Sequence, residues 1–238
     1  MSLKSKFLVA LIVFIYLLFI SFDLGEHGDY AHLTASFILP LIAILYTISV
    51  KKKTLFFSLF VYCFAMSDFA SLFSGIMPNN LDYYLGNALY IIAYACLLIE
   101  ILNSINFRSV WQNFRFHLFV LAFFSFYALY ELQDIIIRSS SANLFFEFFY
   151  NGILVSLLCS AIINYFYRDD KKSMYLLIGS VLLISYEVIG IAYLYLTKKC
   201  ILNVISTTFL ILAFYFLYQQ ARMKYSNKKQ SNYIINNS

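Results

Sequence analysis

Eight stretches of 16 to 25 residues, each dominated by apolar side chains, follow one another along the 238-residue chain with brief polar breaks between them. They run Phe7–Phe22, Leu33–Val50, Thr54–Gly75, Tyr83–Leu102, Phe116–Leu132, Asn143–Tyr167, Met174–Leu196 and Cys200–Gln220. A backbone placed in hydrocarbon must satisfy its own hydrogen bonds, which leaves helices or closed barrels. Barrel strands alternate polar and apolar residues over about ten positions, whereas these runs are longer and continuous. Charged residues make up 12% of the chain, half of the roughly 25% usual in soluble domains. The pattern predicts an all-α fold, a polytopic membrane bundle of about eight transmembrane helices forming one domain over residues 1–220. Residues 221–238 are polar, rich in Asn, Ser and Lys, and read as a disordered tail.

Two of the spans share a second pattern. Lys52-Lys53-Thr54 leads through twelve mostly apolar residues to Ser67-Asp68, and Lys171-Lys172-Ser173 leads to Tyr186-Glu187. In both, the acid follows the second lysine by fifteen positions, and the copies lie 119 residues apart, half the chain. A helix rising about 1.5 Å per residue sets each acid roughly 22 Å from its lysines, inside a hydrocarbon core about 30 Å thick. The halves 1–115 and 116–220 would then hold four spans each. An even number gives both the same orientation, as in parallel-repeat membrane folds.

Basic residues orient the bundle. Lys4 and Lys6, Lys51 to Lys53, Arg108 and Arg115, Arg168, Lys171, Lys172 and four tail residues fall on one side, 14 of the 17 Lys and Arg. The other side keeps Arg138, Lys198 and Lys199 with the acids Asp23, Glu26, Asp29, Asp82 and Asp134. The expected location is the cell (inner) membrane, with both termini cytoplasmic. Lys4 and Lys6 ahead of an apolar run resemble a signal peptide, but Ile20-Ser21-Phe22-Asp23 offers no small-x-small cleavage pattern. The first span is therefore read as a retained anchor.

The net charge of +5 is scattered among short segments rather than gathered in a patch, so no nucleic-acid partner is expected. Cys63, Cys96, Cys159 and Cys200 form no C-x-x-C pair, and neither a disulfide framework nor a metal site is indicated. His27, His32 and His117 lie at or near span ends, which leaves no core histidine for a Ser-His-Asp or Cys-His arrangement. No H-E-x-x-H, G-x-S-x-G or phosphate-binding glycine loop occurs.

What remains is a pair of intramembrane acids, Asp68 and Glu187, and such residues mark function by default because charge is costly there. Ala65, Ser71 and Leu72 share a helical face with Asp68, and Leu183, Ile184, Gly190 and Ile191 with Glu187. Small neighbours let helices approach closely, so both acids are expected to face the bundle interior. Asn87, Tyr90 and Tyr94 line one face of the fourth span, Glu147, Tyr150 and Asn151 recur at helical spacing in the sixth, and the eighth offers Asn203, Ser206 and Thr207. Taken singly, such Asn, Ser and Thr residues commonly do no more than bond between helices. Glu100, near the end of its span, is expected to reach the interface. Two carboxyls brought together in a low-dielectric setting tend to share one proton, so one member can act as acid and the other as base. The same pair equally suits proton or cation coupling in a transporter.

At these residues the chain resembles the YhhN-like lysoplasmalogenase family of eight-helix membrane proteins, over roughly Leu33 to Gln220. Ser67-Asp68 is similar to that family's acid after a small residue in the third helix. Gly179 to Glu187 fits the spacing of its G-A-x-L-F-x-x-S-D pattern, with Glu187 for the aspartate and Tyr186 for the serine. Gly86 is kept, while Tyr94 stands where the family has histidine. Tyr215 and Gln219 match a tyrosine four before a glutamine in the eighth helix. The resemblance implies a hydrolase that cleaves the vinyl-ether bond of lysoplasmalogen-like lipids, with Asp68 and Glu187 catalytic and no cofactor. Its substrate partner would be a lysophospholipid or another single-chain ether lipid, and Asn87, Tyr90, Tyr94, Glu147, Asn151 and Tyr215 form the candidate substrate-binding set. The rival readings are a small-solute or proton-coupled transporter, and a catalytically inactive membrane protein that uses the carboxylates structurally.

Overall fold

The computed structural model describes residues 3–73, 81–139, 144–193 and 197–223. Every element among them is helical: α1 (Leu3–Leu24), α2 (Gly28–Ser36), α3 (Ile38–Ser49), α4 (Leu55–Ser71), α5 (Leu81–Leu102), α6 (Phe107–Asn113), α7 (Arg115–Ser139), α8 (Leu144–Arg168), α9 (Lys171–Ile191) and α10 (Cys200–Arg222). Six of these stretches are long and apolar enough to cross a membrane: α1, α2 with α3, α5, α8, α9 and α10. Helix α4 is apolar but only 17 residues long, about 25 Å of helix. Helix α7 is not among the six and carries Arg115, His117, Glu131 and Asp134.

Several boundaries differ from the sequence expectation for identifiable reasons. The expected single span Leu33–Val50 is broken at Phe37 between α2 and α3. Pro40 sits four residues after Ser36, the end of α2; its ring clashes with that carbonyl and it has no N–H to give. Helix α6 was not expected from hydropathy; Asn106 starts it by accepting from the backbone N–H of Arg108 at 3.2 Å and Ser109 at 3.5 Å, as a capping side chain does. Helix α9 begins at a reciprocal cap, in which Asp170 Oδ1 accepts from Ser173 N at 2.8 Å and Ser173 Oγ accepts from Asp170 N at 3.3 Å. The preceding Asp169 takes the left-handed conformation, φ 45°, which turns the chain between α8 and α9. The tail from 224 onward, and the expected span ends at Gly75, Asn143 and Leu196, lie outside the described residues; α10 itself continues to Arg222.

Packing between α1, α3, α4, α5, α8, α9 and α10 runs from neighbour to neighbour and returns from α10 to α1, closing a ring. Helix α7 leans chiefly on α8 and shows its aromatic residues outward, Phe116 at 76% exposure and Phe126 at 75%. The two chain halves are thus not equivalent throughout, since α1 has a place in the ring that α7 lacks. Phe60 and Phe64 of α4 and Phe214 of α10 meet inside the ring, Phe60 stacked on Phe214 at 5.3 Å and Phe64 edge-on to it at 5.2 Å. Helices α9 and α10 approach most closely at Gly179, where an added Cβ would lie 2.8 Å from Leu217 Cγ. The end of the bundle where α3 leads into α4 carries Lys51, Lys52, Lys172 and Arg222 around one cleft. Ser5 Oγ, 2.9 Å from Ser49 Oγ, brings the Lys4 and Lys6 end of α1 to the same side.

Candidate functional site

Asp68 lies three residues before the end of α4, and Glu187 four residues before the end of α9. Both are partly buried, and Asp68 lies within electrostatic reach of Glu187. Helix α5 supplies the groups that hold them. Tyr90 donates its hydroxyl to Asp68 Oδ1, and Tyr94 donates its hydroxyl to Glu187 Oε1. These tyrosines are four residues apart and therefore share one face. Their backbone positions are about one helical turn apart along α5.

Two further tyrosines complete the arrangement. Tyr150 of α8 packs edge-on to Tyr94, ring centroids 5.7 Å apart, within electrostatic reach of Glu187. Tyr186 of α9 lies within electrostatic reach of Tyr90. Phe64, fully buried, fills the space between, with ring centroids 4.8 Å from Tyr90, 5.4 Å from Tyr94 and 6.5 Å from Tyr186. Ser67 Oγ donates to the carbonyl of Gly86 at 2.9 Å and pins α4 to α5 one residue from the acid. Ser206 Oγ donates to the carbonyl of Tyr186 at 3.1 Å and does the same for α10 and α9. Among the described residues the acids' hydrogen-bond donors are phenols rather than cations.

Of the expected substrate-binding set, Tyr90 and Tyr94 are on the acids, and Glu147 lies within electrostatic reach of Glu187. Asn151, 1% exposed, has neither amide atom hydrogen-bonded among the described residues. Asn87 is half-buried on α5, three residues before Tyr90 and so on its face. Tyr215 does not join them. It is 53% exposed on the outside of the bundle with its ring against Phe216, because its neighbour Phe214 takes the inward position. Asn203 instead ties α10 to α1, donating to Asp23 Oδ1 at 2.7 Å. Glu100 reaches the basic end, where it interacts with Lys172.

Phe64 enlarges the site beyond the residues singled out in the sequence, and Tyr150 and Tyr186, named there outside the substrate-binding set, stand beside the acids. Tyr150 was within reach of the sequence pattern, being three residues after Glu147. Phe64, four before Asp68, has no polar atom to draw notice. Among the described residues no group of three or more His, Cys, Asp or Glu stands together as a cation site.

Fold and site together define a class: an all-helical membrane protein with a tyrosine-held pair of acids in its interior. No family model matches the chain, and no curated protein or solved structure is significantly similar to it.

Proposed function

We propose that the protein is a membrane-embedded hydrolase of the lysoplasmalogenase type, acting on the vinyl-ether bond of a single-chain lipid. The observation that carries this reading is the attachment of Asp68 and Glu187 to tyrosines one turn apart on α5. Two acids held by neighbouring phenols of one helix suit the shared acid and base work of paired-carboxylate hydrolases. Family resemblance at Ser67-Asp68, Gly86 and Gly179 to Glu187 supports the same reading. In it, α4 and α7 also cross the bilayer, giving eight crossings with both termini in the cytoplasm.

The chemistry suits a proton shared by two carboxyls. The protonated member transfers its proton to the outer vinyl carbon, and the ether oxygen's lone pair forms an oxocarbenium ion. The ionised member stabilises that cation and takes a proton from the incoming water as its oxygen bonds to the ether-bearing carbon. The resulting hemiacetal breaks its bond to the glycerol oxygen, releasing a fatty aldehyde and a glycerophospho-alcohol; one water is consumed. General acid–base assistance of this kind contributes about 10²–10⁴ in rate.

Purified protein incubated with lysoplasmalogen should release free aldehyde, and Asp68→Asn and Glu187→Gln should each reduce that rate by about 10² or more. Unchanged turnover in both variants would remove the catalytic assignment. Proton-driven solute uptake by vesicles, without aldehyde release, would assign the same acids to transport.

A further inference from the structure

One lysine from each of the two pairs that mark the sequence, Lys52 and Lys172, lines a common cleft. Lys51 and Lys52, from the turn between α3 and α4, face Lys172 in the first turn of α9 and Arg222 at the end of α10 across a cleft of about 570 Å³. Glu100 stands against these four cations among the lining residues, and Asp170 also acts on Lys172. Exposed basic flanks of membrane helices normally fan out into water or toward headgroups. Here cations from three separate elements line one concavity, where like charges repel. An anion seated among them relieves that repulsion.

Other features of the cleft favour a phosphate group. Thr54 lines it as the residue preceding α4 and makes no side-chain cap, so the first-turn N–H groups of α4 remain available beside the cations. An uncapped helix start of that kind receives phosphate oxygens readily. Helix α9, by contrast, is closed by its own Asp170. Gln220, 4% exposed, also lines the space. Arg222 is steadied over the Tyr218 ring at 5.5 Å, presenting a guanidinium whose fork suits two phosphate oxygens.

We propose that this cleft is a phosphate-binding site, taking the phosphate of an anionic lipid headgroup or the same group from solution. It is separate from the acid pair. Lys172 precedes Glu187 by fifteen residues of α9, about 22 Å of helix, whereas phosphate and ether bond of one lysolipid are separated only by a glycerol unit. A single substrate molecule cannot occupy both, so the cleft's ligand is a second molecule bound at the opposite end of the bundle.

The test uses the full chain in phosphatidylcholine nanodiscs, with native mass spectrometry reading the lipid retained when phosphatidylglycerol is added. Wild type should hold phosphatidylglycerol in preference to phosphatidylcholine. Lys52→Gln together with Lys172→Gln should lower retention about tenfold, the loss of roughly 1.4 kcal/mol expected for charged contacts to phosphate. Lys52 is exposed, so Lys52→Gln alone tests the site without disturbing packing. Arg108→Gln with Arg115→Gln removes equal charge from exposed positions outside the cleft and should leave retention unchanged. Inorganic phosphate that displaces the lipid, or protects the protein from heating by itself, assigns the site to soluble phosphate; no effect of phosphate beside clear lipid retention assigns it to the headgroup. Retention lowered equally by the Arg108 and Arg115 control, or a wild type indifferent to both phosphatidylglycerol and phosphate, overturns the proposal.

Discussion

Tyr94 of α5 donates its hydroxyl to Glu187 of α9, 93 residues further along the chain. One turn earlier the same helix gives Tyr90 to Asp68 of α4. Helix α5 is thus the element that sets the spacing of the two carboxyls, and each acid takes its position from a phenol. Changes to the phenols should therefore move the acids while leaving the surrounding packing intact.

Tyr94→Phe keeps the ring that Phe64 and Tyr150 pack against and removes the O–H. Interhelical hydrogen bonds within membranes are worth about 0.6–2 kcal/mol, so thermal unfolding in nanodiscs should shift down by that amount. Under the hydrolase reading, aldehyde release should fall about tenfold, since roughly 1.4 kcal/mol of positioning is lost. Tyr90→Phe should act likewise through Asp68. Unfolding temperatures equal to wild type in both variants would show that the phenols do not hold the acids.

Gly179 tests the contact between α9 and α10. A methyl there meets Leu217 Cγ at 2.8 Å and the Ala213 carbonyl at 3.3 Å, and Leu217 is fully buried. Gly179→Ala should destabilise the protein by about 1–3 kcal/mol. Adding Leu217→Ala should recover part of that loss, because the two residues compete for one space. Gly86→Ala is the contrasting case, its added methyl resting 3.7 Å from Ser67 Oγ, and it should be tolerated.

At the end of the bundle away from the lysines, Asp23 is 7% exposed and receives Asn203 Nδ2 at 2.7 Å. Asn203→Ala strips a buried carboxyl of this donor and should cost about 1–3 kcal/mol. Combined with Asp23→Ala, the loss should be smaller than the sum of the single changes. Additive losses in a thermal double-mutant cycle would mean that the pair does not join α1 to α10.

The helices and the acid pair were legible because both depend on regular spacing. Apolar runs of membrane length leave few alternatives, and Tyr90 with Tyr94, four apart, shows as one polar stripe. The break at Phe37 was missed because Pro40 lies inside an otherwise unbroken apolar run, where hydropathy sees no interruption. Phe64 was invisible for a related reason: a phenylalanine at the centre of a site and one facing lipid look alike in sequence. Tyr215 shows the converse, since a tyrosine in the right span and register still points outward when its neighbour Phe214 claims the interior. Convergence of Lys52 with Lys172 needed the ring to close before it could be seen.

The convergence of Asp68 and Glu187 is tested most directly by cross-linking. In a chain whose free Cys63, Cys96, Cys159 and Cys200 are replaced by alanine, Asp68→Cys and Glu187→Cys are treated in membranes with a short bis-thiosulfonate reagent. The expected result is a bridge between α4 and α9 that survives proteolytic cleavage of the chain between them, as efficient as the bridge from Asp68→Cys to Tyr90→Cys. Efficient bridging to position 90 with none to position 187 would contradict a shared site.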